Sequence, residues 1–168
     1  MSSNGRLIKP NTPSAKTLYQ TTSPYEQCIG YYRGVRYGQH VFISGTTSVD
    51  PHSSPSAPQI LYPGNAAAQM RVALGECIRV VGELSGSMAQ ALESIVRVRM
   101  YVSRKEDAAV VMGVFSEMLG AGRKDAEEGD GVGAAATAIV VKDGFVDDMM
   151  LVEVEVDAII SSCSKTIA

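Results

Sequence analysis

The chain has 168 residues, 45% of them hydrophobic, and a formal net charge of −3. That length supports one domain around one core and falls short of two. The acidic balance removes any global attraction for phosphate backbones or anionic lipid, so neither nucleic acid nor a membrane surface is an expected partner. Cys28, Cys77 and Cys163 lack the paired spacing of a zinc or redox site, and His40 and His52 are too few for a histidine metal centre or a Ser-His-Asp triad. No metal is expected. No apolar run approaches a membrane span and no secretory pattern opens the chain, which implies a soluble, cytoplasmic protein. Residues 1–24 are rich in Ser, Thr and Pro and carry no acid before Glu26. They read as a flexible N-terminal tail, a composition that a mitochondrial leader shares. A single domain over 25–160 and a C-terminal tail over 161–168 complete the expected organisation.

In chain order, Tyr31–Tyr37 and Val41–Thr47 are rich in β-formers and separated by Gly38-Gln39-His40, which predicts a hairpin. Residues 50–64 hold four prolines among serines and predict a surface loop. From Asn65 to Leu84, Met70, Leu74, Cys77, Ile78, Val81 and Leu84 recur at helical spacing, with Gln69, Glu76, Arg79 and Glu83 on other faces and Gly86 as the stop. Cys77 lies in the apolar stripe and reads as a small core hydrophobe. Ser87 and Gln90 have capping-box spacing for one short turn of helix. Ser94–Ser103 alternates, with Val96, Val98, Met100 and Val102 against Ile95, Arg97, Arg99 and Tyr101. Ser103, with Glu106 three residues on, is the expected cap of a second amphipathic helix carrying Val111, Val114, Phe115, Met118 and Leu119. The glycine-rich and charged stretch 120–133 predicts a loop, and Ala134–Val141 a strand.

The stretch from Met149 to Ile160 closes the pattern. Val152, Val154, Val156 and Ala158 alternate with Leu151, Glu153, Glu155 and Asp157, so three carboxylates line one strand face. Those carboxylates read either as a solvated face, with Arg97 and Arg99 as cross-strand partners for Glu153 and Glu155, or as part of a site. Two helices on one face of a mixed sheet give an α+β, two-layer sandwich. The other sheet face suits association of subunits.

The segments Ile29–Val35, Val41–Thr47, Ile95–Val102 and Met150–Ala158 occur in an order and spacing similar to the RidA/YjgF (reactive intermediate deaminase) family over roughly residues 24–160. The wording Ser44-Gly45-Thr46-Thr47 looks closest to its YjgH-like branch. The resemblance implies a chorismate-mutase-like fold, a homotrimer with clefts between subunits, and a small-molecule substrate. It further implies hydrolysis of reactive enamines and imines, such as 2-aminoacrylate and its imine tautomer, to 2-keto acids and ammonia without metal or organic cofactor. Carried over by position, Glu153 resembles the glutamate that positions water, Tyr31 the site tyrosine and Gly45 the glycine that lets backbone approach the ligand. Ser44, Thr46 and Thr137 fall at substrate-binding positions. Ala136 stands nearest the family's carboxylate-binding arginine, a departure that puts simple amino-acid-derived imines in doubt. Arg33, two residues from Tyr31, is the candidate replacement anchor, with a surface or interface ion pair as its other reading. Hydrolysis, dehydration or isomerisation of a secondary metabolite on the same scaffold, a non-enzymatic binding or chaperone-like trimer, and a ribonuclease stand as alternatives. The acidic chain and the lack of a histidine pair speak against the last of these.

Overall fold

The computed structural model describes residues 4–9, 16–125, 130 and 132–160. Seven strands form one sheet in the order β1-β2-β3-β4-β7-β5-β6. They are β1 (Arg6–Ile8), β2 (Lys16–Gln20), β3 (Gly34–Tyr37), β4 (His40–Thr46), β5 (Ile95–Val102), β6 (Ala135–Val140) and β7 (Val152–Ile159). Neighbours run antiparallel except β5 and β6, which are parallel, so the sheet is mixed. The helices are α1 (Pro24–Ile29), α2 (Ala66–Ser85), α3 (Ala91–Ser94) and α4 (Ala108–Leu119). This is the expected α+β arrangement, with α2 and α4 covering one face.

The acidic strand lies inside the sheet, hydrogen-bonded to β4 on one side and β5 on the other. Its period-two pattern explains why: Val152, Val154, Val156 and Ala158 are all buried beneath α2, each contributing roughly 1.5–3 kcal/mol for the larger side chains. Met70, Ala73, Leu74, Cys77, Val80 and Val81 of α2 supply the other half of the core. The Asn65 side chain caps α2 by accepting from the Ala68 N–H at 3.0 Å, and Gly86 ends it in the left-handed conformation at φ 79°. A two-residue turn, Gly38-Gln39, closes the β3/β4 hairpin with Gly38 at φ 62°, a value glycine adopts without strain.

Five expectations are corrected. Residues 6–8 and 16–20, read as tail, are β1 and β2, and they extend the sheet beyond β3. Residues 31–33 are not strand, because α1 occupies 24–29 and β3 begins at Gly34. Gln69, placed on a polar helix face, is fully buried and bonded to backbone. Ser103 does not cap the second helix: a 3-10 turn over Lys105–Asp107 precedes α4, and the Ser103 hydroxyl is buried without a hydrogen-bond partner. The short helix after Ser87 starts at Ala91, and Gln90 at its N-cap makes no side-chain cap. The proposed C-terminal tail, 161–168, and part of the loop 120–133 lie outside the described residues.

Candidate functional site

The site grows from an irregularity in β4. Ile43 pairs with Val156 and Thr46 with Val154, so three steps along β4 match two along β7 and one residue is extra. That bulge falls at Ser44-Gly45, and bulges re-aim side chains and end regular pairing. On the β7 side of the bulge, a Cβ at Gly45 would collide with Glu153 Oε1 and lie 3.0 Å from its Cδ. Only glycine leaves that carboxylate its place.

Arg33 holds the bulge from the other side. It is 5% exposed, and its Nη1 donates to the Gly45 carbonyl at 2.9 Å and to Thr46 Oγ1 at 2.8 Å. Its Nε donates to Glu26 Oε1 at 2.9 Å, and Glu26 is fully buried. The Glu26 carboxylate also accepts from the Thr21 N–H at 2.8 Å and the Thr21 hydroxyl at 2.5 Å. Arg33 Nη2 donates to the Tyr31 hydroxyl at 3.2 Å, and the guanidinium sits 5.6 Å from the centre of the Tyr31 ring, within cation–π range. One buried ion pair thus joins α1, the strap at Thr21 and the bulge.

Beside this staple lies a pocket of about 310 Å³. Tyr25, Tyr31 and Arg33 form its polar end; Val49, Pro51, Leu61 and Val72 supply an apolar wall; Glu76 and Arg79 of α2 close it. Arg79 is held by Glu76 through Nε and Nη2 at 2.9 and 2.7 Å and donates to the Tyr19 hydroxyl at 2.8 Å. Burial raises the Tyr31 hydroxyl's pKa, opposed by Arg33. The Glu153 carboxyl is likewise raised, by burial first and then by Glu155, while Arg33 draws it down.

Of the residues singled out from the sequence, Tyr31, Arg33, Gly45 and Thr46 line the pocket together. Glu153 stands behind Gly45, at the margin rather than in the lining. Ser44 turns its hydroxyl to the Tyr32 carbonyl at 2.8 Å. Thr137 is exposed on β6, separated from β7 by β5, and in one chain it is not brought to the pocket. The expected arginine pairs are partly realised: Arg99 bonds Asp157 at 3.0 Å and Glu155 at 3.5 Å, whereas Arg97 has no ion pair among the described residues. Glu153 faces Tyr101 across the ladder and, among the described residues, makes no ion pair with an arginine.

Tyr25, Glu26 and the Glu76/Arg79 pair were not anticipated as site residues. Ser23-Pro24 before Tyr25 is a helix-start signal that could have lifted this segment out of the tail. Among the described residues, no group of three or more His, Cys, Asp or Glu side chains is placed to hold a metal ion. No helix among them is long and apolar enough to cross a membrane.

A mixed sheet with two helices on one face, its interior acidic strand abutting a glycine bulge, makes this a two-layer α+β protein, and its solved structural neighbours are of the YjgF type. A member of the YjgF/YER057c/UK114 family from Mycobacterium tuberculosis superposes with a TM-score of 0.61 at 26% identity, covering 86% of this chain and 99% of its own. Escherichia coli TdcF, solved with bound serine, has a TM-score of 0.55 at 19% identity over 78% of this chain and 88% of its own. An uncharacterized protein of Streptomyces coelicolor is 29% identical over 147 residues, 88% of this chain and 94% of that protein. No family model matches the chain. The solved neighbours support the YjgF family for this protein.

Proposed function

We propose that the protein is a cofactor-independent hydrolase of small imines or enamines, of the YjgH-like branch of the YjgF family. The observation that carries this reading is the Glu153 carboxylate, half-buried and of raised pKa, lodged against Gly45 beside Tyr31 and Arg33. A carboxylate of that kind can take a proton from water as the water oxygen attacks the C=N carbon. The C–O bond forms, the π pair moves to nitrogen, and the Tyr31 hydroxyl, which already accepts from Arg33, donates its own hydrogen toward that nitrogen. The Glu153 carboxyl then returns its proton to the amine nitrogen, the carbinolamine hydroxyl gives its proton back to the Tyr31 oxygen, and the C–N bond breaks to release ammonia and leave the carbonyl product. The balance is imine plus water to carbonyl plus ammonia.

The proposal includes a homotrimer with the pocket at a cleft between chains. What supports it is β6, an edge strand exposed along its whole length and apolar at Ile139 and Val140, both about half exposed. Such an edge invites a covering surface. Light scattering giving the mass of three chains is the expected result, and the mass of one chain would remove this part. A second reading, binding without turnover or a different reaction on the same scaffold, is favoured by Ala136, which leaves β6 without the family's arginine.

The test is release of ammonia and carbonyl product from enzymatically generated imines, comparing the wild type with Glu153→Gln. Loss of a general base predicts a fall of about 10²- to 10⁴-fold. Equal turnover in the two proteins removes Glu153 from the mechanism.

A further inference from the structure

We infer that the pocket takes an uncharged ligand, a carbonyl or imine compound with an apolar body and no carboxylate. This rests on the pocket being the working site proposed above. A carboxylate is recognised by a cation able to offer it two parallel N–H bonds. Arg33 cannot do so. Of its five N–H bonds, four are committed, to Glu26 Oε1, the Gly45 carbonyl, Thr46 Oγ1 and the Tyr31 oxygen. A single Nη2–H remains, enough for one neutral acceptor and too little for a fork.

Arg79, the other guanidinium of the pocket, is clamped in the same fork geometry by Glu76, with Glu83 at 3.9 Å and the Tyr19 hydroxyl at 2.8 Å. The two guanidinium ions of the lining are therefore each already paired with a carboxylate, Arg33 with Glu26 and Arg79 with Glu76. An entering carboxylate therefore finds neither guanidinium of this lining with an open two-bond fork to receive it.

The remaining surface suits a neutral molecule. The Tyr31 hydroxyl uses its oxygen to accept from Arg33, so its hydrogen is available for a carbonyl oxygen or imine nitrogen. Val49, Pro51, Leu61 and Val72 offer dry contact to an alkyl or aryl group. At about 310 Å³ the cavity is at the lower end of small-molecule pockets, which limits that group to a compact one. The reaction that feeds this site would be one that makes an imine without a carboxylate, such as oxidation of a simple amine.

Calorimetry on the full chain tests the ligand class apart from turnover, with isobutyramide and benzamide each titrated against its matching carboxylate at pH 7.5. The expected result is an amide Kd at least tenfold below that of the carboxylate. Carboxylates binding as tightly as the amides, or neither binding at millimolar concentration, overturns the inference. Glu26→Gln removes the charge that neutralises Arg33 and is expected to tighten carboxylate binding at least tenfold, provided amide binding shows the variant folded. Should it fail to fold, the wild-type comparison decides alone. In parallel, the imine formed from isobutylamine by an amine oxidase is compared with 2-iminopropionate. Hydrolysis of the first in preference supports the inference, and preference for the second overturns it. Hydrolysis of neither overturns the hydrolase reading, while the amide-to-carboxylate ratio still decides the ligand class.

Discussion

The Glu153 carboxylate occupies the space that a side chain at residue 45 would need. A Cβ there would run into Oε1 and lie 3.0 Å from Cδ. Gly45 is in neither a turn nor a left-handed conformation, so alanine is compatible with its backbone. Since the colliding atom is the end of a flexible side chain, Glu153 can swing aside. Gly45→Ala is therefore expected to leave the melting temperature almost unchanged while displacing the carboxylate by about 1 Å, a misplacement that costs on the order of 10²-fold in rate. Thermal unfolding and single-turnover ammonia release on the same preparation check both halves; an unaltered rate would detach Gly45 from the chemistry.

The raised pKa of Glu153 gives two pH dependences of opposite sense. Burial, the largest cause, disfavours the ionised form. As a base the group works only when ionised, so kcat/KM should fall as pH drops through a value above the ordinary glutamate range, and Glu153→Gln should abolish that limb. For stability the sign reverses. A folded-state pKa above the unfolded one means the native chain binds more protons between the two values, so stability declines as pH rises through that window. Above it, the buried charge opposes folding. Glu153→Gln is expected to melt higher than wild type at pH 8, by about 2 °C, with the gap closing in mild acid where the carboxyl is protonated. A gap that widens on acidification would contradict the assignment.

How much of this was legible in the sequence depends on whether the signal was local. The alternation from Val152 to Ala158 and the stripe from Met70 to Leu84 are local, and both elements stand where their periods put them. The β1/β2 pair was not legible, because Lys16–Gln20 has weak alternation and gains order only by pairing with β3. There Tyr19 lies opposite Gly34, and the space that glycine leaves is taken by Leu84 and Val80 of α2. Gln69 reads as a surface residue because two of its partners, the Met149 carbonyl and the Leu151 N–H, lie 80 and 82 residues away in the chain. The Tyr31–Arg33 relation was read as two neighbours on a strand. They do meet, through a hydrogen bond and a cation–π contact, but in irregular backbone before β3. No spacing rule identifies that partner in advance. Thr137 shows the reverse limit, a position whose relation to the pocket within one chain is broken by the intervening β5.

The Glu26–Arg33 pair predicts strong coupling. Both side chains are buried, at 0% and 7% exposure, so removing one leaves an uncompensated charge. Glu26→Ala should cost about 3–5 kcal/mol, and Arg33→Met a similar amount. The double variant should be less destabilised than the sum of the two by more than about 1 kcal/mol, since neither charge is then stranded. A urea-unfolding double-mutant cycle measures this directly. Additive losses would mean that solvent reaches the pair and that Arg33 is available for a ligand after all.

Cys77 and Cys28 should differ in reactivity. Burial pushes the Cys77 thiol up to about 12, and its Sγ–H points at the Val154 carbonyl at 3.8 Å. Cys28 is exposed at the end of α1. Alkylation of the native protein at pH 8 followed by peptide mass mapping should label Cys28 within minutes and leave Cys77 unmodified until the chain unfolds. Early labelling of Cys77 would show that α2 opens over β7.

Gln69 ties α2 to the entry of the acidic strand. Its Nε2 donates to the Met149 carbonyl at 2.8 Å and the Tyr62 carbonyl at 3.3 Å, and its Oε1 accepts from the Leu151 N–H at 2.8 Å. Leu151 is two residues before Glu153, so this amide sets where β7 begins and how far the carboxylate reaches toward Gly45. Gln69→Leu keeps the volume and strands a backbone donor and acceptor in a dry site, each costing about 1–3 kcal/mol. The expected destabilisation is about 3 kcal/mol in total, with faster amide exchange at Leu151 than in the middle of β7. Turnover at a temperature where the variant is folded should also fall, through kcat rather than KM, because the pocket lining is untouched while the base is less well held. A variant that loses stability but keeps kcat would limit Gln69 to packing and separate the entry of β7 from the placement of Glu153.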